Sequence, residues 1–179
     1  SIIMLTLMVA GLVGRNTEPT TNWFYDQTIL QSFYMLEDAT IDGDGVEGNN
    51  CGVACSDGTE SDCYTSGTCD VVGAFRTGVC ADTVYQYNQQ LCEIFSTWDT
   101  SEEICVGWIY ASSIGNTTVP LMAQGGLSDD NTFTYTNVGE SVNLKIYDAE
   151  NGSILELTPG AELPGWENNV IHTIAGTST

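Results

Sequence analysis

The chain has very few basic side chains. Three lysine and arginine residues (Arg15, Arg76 and Lys145) stand against 24 acidic residues in a chain of 179, for a formal net charge of −21. A surface of this sign repels the phosphate backbone of nucleic acids and disfavours anionic lipid head groups. We therefore expect no nucleic-acid partner and a well-hydrated surface that keeps the protein in solution.

The sequence also lacks the motifs of common catalytic sites. It has one histidine, His172, and no G-x-S-x-G, P-loop or dinucleotide-binding motif. A Ser-His-Asp triad would have to use His172, which sits in a predicted strand where a single histidine is usually structural. Among 24 acidic residues, some pair of carboxylates is always expected. The composition therefore does not indicate a glycosidase. We expect that the chain is not an enzyme.

Long amphipathic helical patterns are missing as well. Short runs of β-branched and aromatic residues are separated by Gly, Asn and Asp turns, which is typical of all-β domains. The clearest example is 141–159, where apolar and polar residues alternate up to an Asn151-Gly152 hairpin turn. Seven or eight such strands predict an antiparallel, immunoglobulin-like β-sandwich.

The pattern divides the chain into an apolar segment at 1–14, a polar linker at 15–21 and a sandwich at 22–179 with a Cys-rich insertion at 45–69. The other predicted elements, in chain order, are one or two strands in 22–41, strands at 71–75 and 78–85 joined by a turn at 76–78, a short helical turn in 86–98, a strand at 104–114, an edge strand at 118–126 containing Pro120, and a last strand at 170–175.

The cysteines predict disulfides rather than a zinc site. None of their spacings is C-x-x-C, the pairing typical of zinc ligands. Scattered cysteines in Gly- and Ser-rich sequence indicate an oxidising, extracellular compartment, with disulfides stabilising the insertion, which has almost nothing to bury. The number is odd, so one cysteine is unpaired or linked to another chain. The seven are Cys51, Cys55, Cys63, Cys69, Cys80, Cys92 and Cys105.

Two N-glycosylation sequons lie in polar, turn-like sequence, at Asn116 and Asn151. They predict N-linked glycans if the chain passes through a eukaryotic secretory pathway.

A short acidic stretch, Ile41-Asp42-Gly43-Asp44-Gly45, is similar to the start of a calcium-binding loop. An EF-hand needs an oxygen ligand at position five and a bidentate Glu at position twelve, where this chain has Val46 and Val53. We favour a simple acidic turn and expect no cofactor. The one candidate cation site, for calcium, would use Asp42, Asp44 and Glu47.

The tryptophans raise an alternative function. Stacking on a sugar ring needs two or three aromatic side chains on one exposed surface. Trp108 lies in an apolar predicted strand and is expected in the core, whereas Trp166 follows a Pro-Gly turn and is either exposed or a cap on the sandwich. A carbohydrate-binding or adhesive module of a larger surface protein is therefore the second hypothesis.

Several segments together resemble a β-sandwich module of secreted and cell-surface proteins, including bacterial proteins with C-terminal sorting domains. They are, in order, NWFYDQTILQSFYMLEDATIDGD, DVVGAFRTGVCADT, GWIYAS, GESVNLKIYDAENGSILELTP and PGWENNVIHTI, within residues 22–176. The resemblance implies an extracellular structural or adhesive role and supplies no catalytic residues. The chain departs from this pattern in its Cys-rich insertion and its apolar first segment.

The first segment, SIIMLTLMVAGLVG, is uncharged and almost wholly apolar. It is too short for a membrane helix, which needs about 20 apolar residues, and it lacks the basic start of a signal peptide. Two strand hypotheses compete with these: the first strand of its own sandwich, or a strand donated to a neighbouring copy. A strand buried on both faces has a continuous apolar sequence, and we favour donation.

The sequence thus predicts a secreted or cell-surface structural subunit that assembles head to tail with copies of itself into a helical filament, without a membrane span. The residues predicted at the subunit interface are Ile2, Ile3, Met4, Leu5, Leu7, Met8, Val9, Leu12 and Val13.

Overall fold

The computed structural model describes residues 15–46, 69–82, 84, 89–112, 116–125, 132 and 134–179. These ranges contain twelve strands and one helix. The strands are β1 (Arg15–Thr17), β2 (Phe24–Asp26), β3 (Gln31–Leu36), β4 (Ala39–Ile41), β5 (Asp44–Gly45), β6 (Val71–Cys80), β7 (Trp98–Tyr110), β8 (Thr117–Met122), β9 (Asn143–Asp148), β10 (Ser153–Leu157), β11 (Ile171–Ile174) and β12 (Thr177–Ser178), and the helix is α1 (Gln89–Phe95).

The strands form two larger and two smaller sheets. The four-stranded sheet has the order β10-β9-β6-β7 and is antiparallel throughout, and the three-stranded sheet has the order β11-β3-β8. The smaller sheets are the two-stranded β1-β2 and β12-β4-β5, whose three strands are only two or three residues long; below, the three-stranded sheet means β11-β3-β8. The predicted all-β, sandwich-like fold is confirmed.

The main core lies between the two larger sheets. Alternate side chains of each strand point inward, as the period of two in a strand requires, and each of the following is at most 2% exposed. They are Val72, Ala74, Val106, Leu144 and Ile146 from the four-stranded sheet, and Tyr34, Leu36, Val119 and Leu121 from the three-stranded sheet. This burial is the main force that holds the sandwich together.

A second, smaller group of apolar side chains covers the opposite face of the four-stranded sheet. Val71 and Phe75 alternate with the core residues of β6, and Trp23 packs on them from the segment that leads into β2. We call Trp23, Val71 and Phe75 the outer cluster. The β1-β2 hairpin therefore lies as a partial third layer over this sheet.

Residues 15–21, predicted as a linker, contain β1 and a turn built around Glu18. The Glu18 carboxylate is 1% exposed and accepts hydrogen bonds from the Thr20 amide at 2.8 Å and the Thr21 hydroxyl at 2.7 Å. The indole N–H of Trp108 donates to the Asn16 carbonyl at 3.2 Å, which attaches β1 to β7. This part of the chain is thus folded onto the sandwich.

One predicted turn is wrong. Residues 71–85 were expected to form two strands with a turn at 76–78, but β6 runs without interruption from Val71 to Cys80. Gly78 has a φ of +94°, and the pairing with β7 shifts register between Thr77 and Val79. A glycine of positive φ in a strand accommodates a bulge as readily as a hairpin turn, and here it makes the irregularity.

Two strand pairs are parallel, which the antiparallel prediction did not include. β11 pairs with β3 and β12 pairs with β4, both in parallel. The predicted last strand at 170–175 is confirmed as β11, and its long separation in sequence from β3 allows the parallel pairing. β8, with Pro120, lies at the edge of its sheet among the described strands, as predicted.

The described cysteines are divided between disulfides and one free thiol. Cys80 at the end of β6 is bonded to Cys92 in α1, and Cys69 is also disulfide-bonded. Among the described cysteines, Cys105 in β7 is free. Cys51, Cys55 and Cys63, with most of the predicted insertion, lie outside the described residues.

Candidate functional site

A cleft of about 510 Å³ opens beside β2 and β7. Its walls come from four separate parts of the chain, and we call it the edge cleft. The lining residues are Asn22, Trp23, Phe24, Asp26, Phe75, Glu103, Ile104, Cys105, Thr134 and Tyr135.

The cleft covers part of the outer face of the four-stranded sheet, beside Trp23 and Phe75, and reaches the edge of β7. Successive side chains of a strand point to opposite faces. Ile104 packs against the main core and Cys105 packs against the outer cluster, yet both line the cleft. Among the described strands, β7 pairs with β6 alone. The cleft is therefore placed where a further strand would join the sheet.

One wall of the edge cleft is aromatic. The rings of Trp23 and Phe75 meet edge to face, with centroids 5.1 Å apart and planes at 79°. This contact needs Gly73, because a Cβ there would lie 2.7 Å from a Phe75 ring carbon and 2.8 Å from a Trp23 ring carbon. Phe24, next along the chain, is 47% exposed. Phe24 thus presents an apolar side chain to water, whereas Trp23 and Phe75 are buried.

The opposite wall is held by hydrogen bonds. The hydroxyl of Tyr135 accepts a 2.7 Å bond from the backbone N–H of Asp26, which ties residues 134–136 to β2. Arg76 donates to the Thr134 carbonyl at 2.9 Å and to Glu140 at 2.9 Å through Nε. The position of this wall therefore depends on a buried guanidinium from β6.

One of the two acidic groups at the cleft, Glu103, is neutralised by Lys145. Asp26 is 5% exposed, and Glu103 accepts a 2.5 Å hydrogen bond from Lys145, which also lies 3.1 Å from Glu156. The Lys145 ammonium is 5.5 Å from the centre of the Phe75 ring, close enough for a cation–π contact. The part of the site around Phe75 and Glu103 therefore combines an apolar surface with a compensated charge.

Cys105 supplies a thiol to the cleft. Its Sγ donates a weak 3.5 Å hydrogen bond to the Gly107 carbonyl. Burial raises the pKa of the Cys105 thiol to about 12, because a thiolate is poorly solvated among apolar groups. The thiol therefore stays protonated and unreactive at neutral pH.

We expect Cys105 to react very slowly with a thiol reagent in the folded protein. With a pKa of about 12, the thiolate fraction at pH 8 is about a thousandfold below that of an ordinary cysteine. Reaction with Ellman's reagent should be slower by about that factor and should rise tenfold per pH unit. The Cys105→Ser variant provides the background rate, and rapid labelling at pH 8 would show that the thiol is not enclosed.

The candidate cation site is only partly described. Asp42 and Asp44 are exposed at the β4-β5 hairpin, and the Asp42 backbone N–H donates to the Thr179 hydroxyl at 3.0 Å. Glu47 lies outside the described residues. In the part of the chain that the structure describes, no three His, Cys, Asp or Glu side chains are grouped as metal ligands would be.

Both sequon asparagines lie at the surface. Asn116 precedes β8 and is exposed, and Asn151 is exposed in the β9-β10 turn. The side-chain amide of Asn151 donates to Asp148 at 2.7 Å. Either position leaves room for a glycan on the outside of the sandwich.

The tryptophans do not form a flat exposed platform. Trp23 and Trp166 are 9% and 2% exposed, and the Trp166 N–H donates to the Leu121 carbonyl at 3.1 Å. Trp98 lies under the Arg76 guanidinium at 4.9 Å, and Trp108 is partly buried against the core. Trp166 is thus a buried cap rather than an exposed ring. Each of the four has a structural contact.

His172 also has a structural environment. Its ring meets Tyr34 edge to face, with centroids 5.8 Å apart. The neighbouring Ile171 is 61% exposed and Ile174 is 7% exposed, so β11 has one buried and one open face. This arrangement fits the structural role expected of a single histidine in a strand.

The chain matches no protein-family model, no curated protein and no solved structure. The resemblance to secreted sandwich modules therefore remains an expectation from the sequence, and function has to be argued from the residues. Within the described ranges, no helix is both long and apolar enough to span a membrane.

Sequence reasoning did not find the edge cleft. Its lining comes from residues 22–26, 75, 103–105 and 134–135, which share no motif or spacing. The one signal in the sequence is the aromatic pair Trp23-Phe24, and aromatic residues are equally typical of any strand. The predicted interface residues at 2–13 lie outside the described residues.

Proposed function

We propose that this chain is a structural subunit of an extracellular filament, which polymerises head to tail by donating residues 2–13 to a neighbouring copy. The observation that supports this most is the 13-residue strand β7, which among the described strands pairs on one side only. A strand edge that carries no further strand is a template for strand addition, in which main-chain hydrogen bonds provide the affinity.

Charge supports an uncharged donor segment. Two copies with a net charge of −21 each repel one another, and β7 itself carries exposed Asp99, Glu102 and Glu103. Residues 1–14 contain no charged side chain. Such a segment approaches the acidic edge without repulsion, and each large apolar side chain that it buries contributes about 1.5–3 kcal/mol before entropic costs.

The described disulfide supports an extracellular location, because such bonds persist in oxidising compartments. Cys80 is 6% exposed and Cys92 is fully buried, so the bond between them belongs to the interior of the domain. Glycans at Asn116 and Asn151 would coat the outside of the filament in a eukaryotic host.

The alternative, a carbohydrate-binding or adhesive module, has less support. Such a module would require coplanar exposed tryptophans, whereas the four tryptophans of this chain have structural contacts. The filament proposal and this alternative differ in the behaviour of residues 2–13, which only the filament needs for assembly.

The proposal predicts that a charge within the segment prevents polymerisation. In the full chain, Leu7→Asp should reduce the mass measured by light scattering from that of a polymer to that of one subunit, because an unpaired buried carboxylate is strongly disfavoured. Thr17→Asp adds the same charge at an exposed position of β1 and should leave assembly intact. A native chain that remains monomeric at high concentration would contradict the proposal.

A further inference from the structure

We propose that the edge cleft is the acceptor site for residues 2–13 of a second copy. This inference rests on the proposed function and adds the surface on which the donated segment binds. It follows from three independent properties of the cleft: its position along β7, its size and surface, and its charge.

The position of the cleft suits a strand. Ile104 and Cys105 contact opposite faces of the four-stranded sheet, and both line the cleft. A segment in the cleft would therefore run along the edge of β7 and extend this sheet. Strand addition at such an edge combines main-chain pairing with pockets for alternate side chains.

The size and surface of the cleft suit a row of aliphatic side chains. Its volume of about 510 Å³ lies within the range of about 300–1,000 Å³ that proteins use to enclose small ligands. In an extended segment, Ile3, Leu5, Leu7 and Val9 point to one side, whereas Thr6 and Ala10 interrupt the other row. We assign the odd-numbered row to the cleft and its aromatic wall.

Charge selects an uncharged occupant. The cleft has carboxylates at Asp26 and Glu103, in a chain of net charge −21. The Glu103 carboxylate is already bonded to Lys145 at 2.5 Å, so it does not require a cation from the ligand. The net charge of −21 would repel an acidic peptide, whereas it would not repel the uncharged segment 2–13.

The first test compares two exposed apolar side chains in the full chain. Phe24 in the cleft is 47% exposed and Ile171 on β11 is 61% exposed, so replacing either with Asp should leave the fold intact. Phe24→Asp should raise the protein concentration needed for polymerisation at least about tenfold, which is about 1.4 kcal/mol of association free energy. Ile171→Asp should polymerise like the native chain.

The outcomes separate the two proposals. If the native chain does not polymerise, the proposed function is wrong and the acceptor site is wrong with it. If both Asp variants polymerise normally, the filament stands and the cleft is not its acceptor. If Ile171→Asp alone prevents assembly, the acceptor is the edge at β11, and the inference is again overturned.

A cross-linking test shows which chain the segment enters. A Leu7→Cys, Cys105→Ser chain is mixed with the native chain at about pH 9.5, because the Cys105 thiolate is scarce at neutral pH. The mixture is oxidised for hours with diamide, which takes two electrons and two protons as the introduced thiol and Cys105 form one disulfide. A covalent dimer is expected. The matched Thr6→Cys, Cys105→Ser chain, whose thiol points the other way, should give a yield lower by about tenfold, because disulfides tolerate little misalignment.

The single variant Leu7→Cys, which retains Cys105, distinguishes donation from self-insertion. Cross-linked oligomers support the acceptor site. A cross-link found only within monomers would show that the segment fills the cleft of its own chain, and this result would overturn both the inference and the proposed function.

Discussion

Replacing Gly107 with alanine is expected to destabilise the fold by at least about 3 kcal/mol, or to prevent folding. Gly107 lies in β7 against the backbone of β8, and a Cβ there would be 1.7 Å from the carbonyl oxygen of Pro120. The obstacle is backbone, so no change of side-chain rotamer relieves it. Urea unfolding followed by tryptophan fluorescence measures the loss.

Gly45→Ala is the matched control for this substitution. Gly45 is an exposed strand residue, and a Cβ at this position would have no heavy atom within 4 Å. The free energy of unfolding of the Gly45→Ala variant should remain within about 0.5 kcal/mol of the native value. Equal stability of the two alanine variants would show that β7 and β8 do not approach each other at Gly107.

Replacing Arg76 with methionine is expected to cost about 3–5 kcal/mol, because it leaves the partner carboxylate without its cation. Arg76 is 2% exposed, and its guanidinium binds Glu140 through two nitrogens, at 2.9 and 3.2 Å. It also donates to Thr134 at 2.9 Å and lies over Trp98. Chemical denaturation of the two proteins at pH 7 measures the difference.

An exposed ion pair provides the control for Arg76. Lys145 and Glu156 are 3.1 Å apart, and the Glu156 side chain is 65% exposed. Glu156→Gln should change the free energy of unfolding by about 0.5 kcal/mol or less, because exposed ion pairs are weak. If Arg76→Met lowered the free energy of unfolding as little as this control does, the buried guanidinium would not stabilise the fold.

Acid should reduce the difference in the free energy of unfolding between the native protein and Arg76→Met. Burial alone raises the pKa of Glu140, but hydrogen bonds and charge from Arg76, with hydrogen bonds from Asn137, lower it below the ordinary value of 4.5. A lowered folded-state pKa gives stability that is fully present above the unfolded value and is lost as the pH falls through the folded value. The stability difference should therefore shrink below about pH 4.5.

Arg76 also connects stability to the edge cleft. Its bond to the Thr134 carbonyl holds the segment whose Tyr135 hydroxyl accepts from Asp26 across the cleft. The wall of the proposed acceptor site is thus part of the same network that stabilises the sandwich. A subunit with this network intact presents a preformed cleft, which lowers the entropic cost of binding a strand.

Local sequence patterns predicted much of the fold. The alternation in 143–148 and the Asn151-Gly152 turn correspond to β9, β10 and the hairpin between them. The short helical turn predicted in 86–98 corresponds to α1. In both cases neighbouring residues determine the structure, so a window of a few residues contains the necessary information.

The errors concern interactions between distant residues. The Arg76-Thr77-Gly78 sequence has the composition of a turn, but Arg76 is held by Glu140, 64 residues away, and β6 continues. The parallel pairing of β11 with β3 joins residues more than 130 positions apart. Propensity is a weak determinant when burial and long-range pairing favour a different conformation.

The sequence by itself determined the all-β class, the acidic surface and the presence of disulfides, because hydrophobic alternation, charge and cysteine spacing are properties of local sequence. Only the tertiary structure decided that Cys105 is the free described cysteine, that Arg76 is buried, and that β2 and β7 enclose a cleft. Each of these depends on which strands become neighbours, and that choice is made by the packing of the whole sandwich rather than by any one segment.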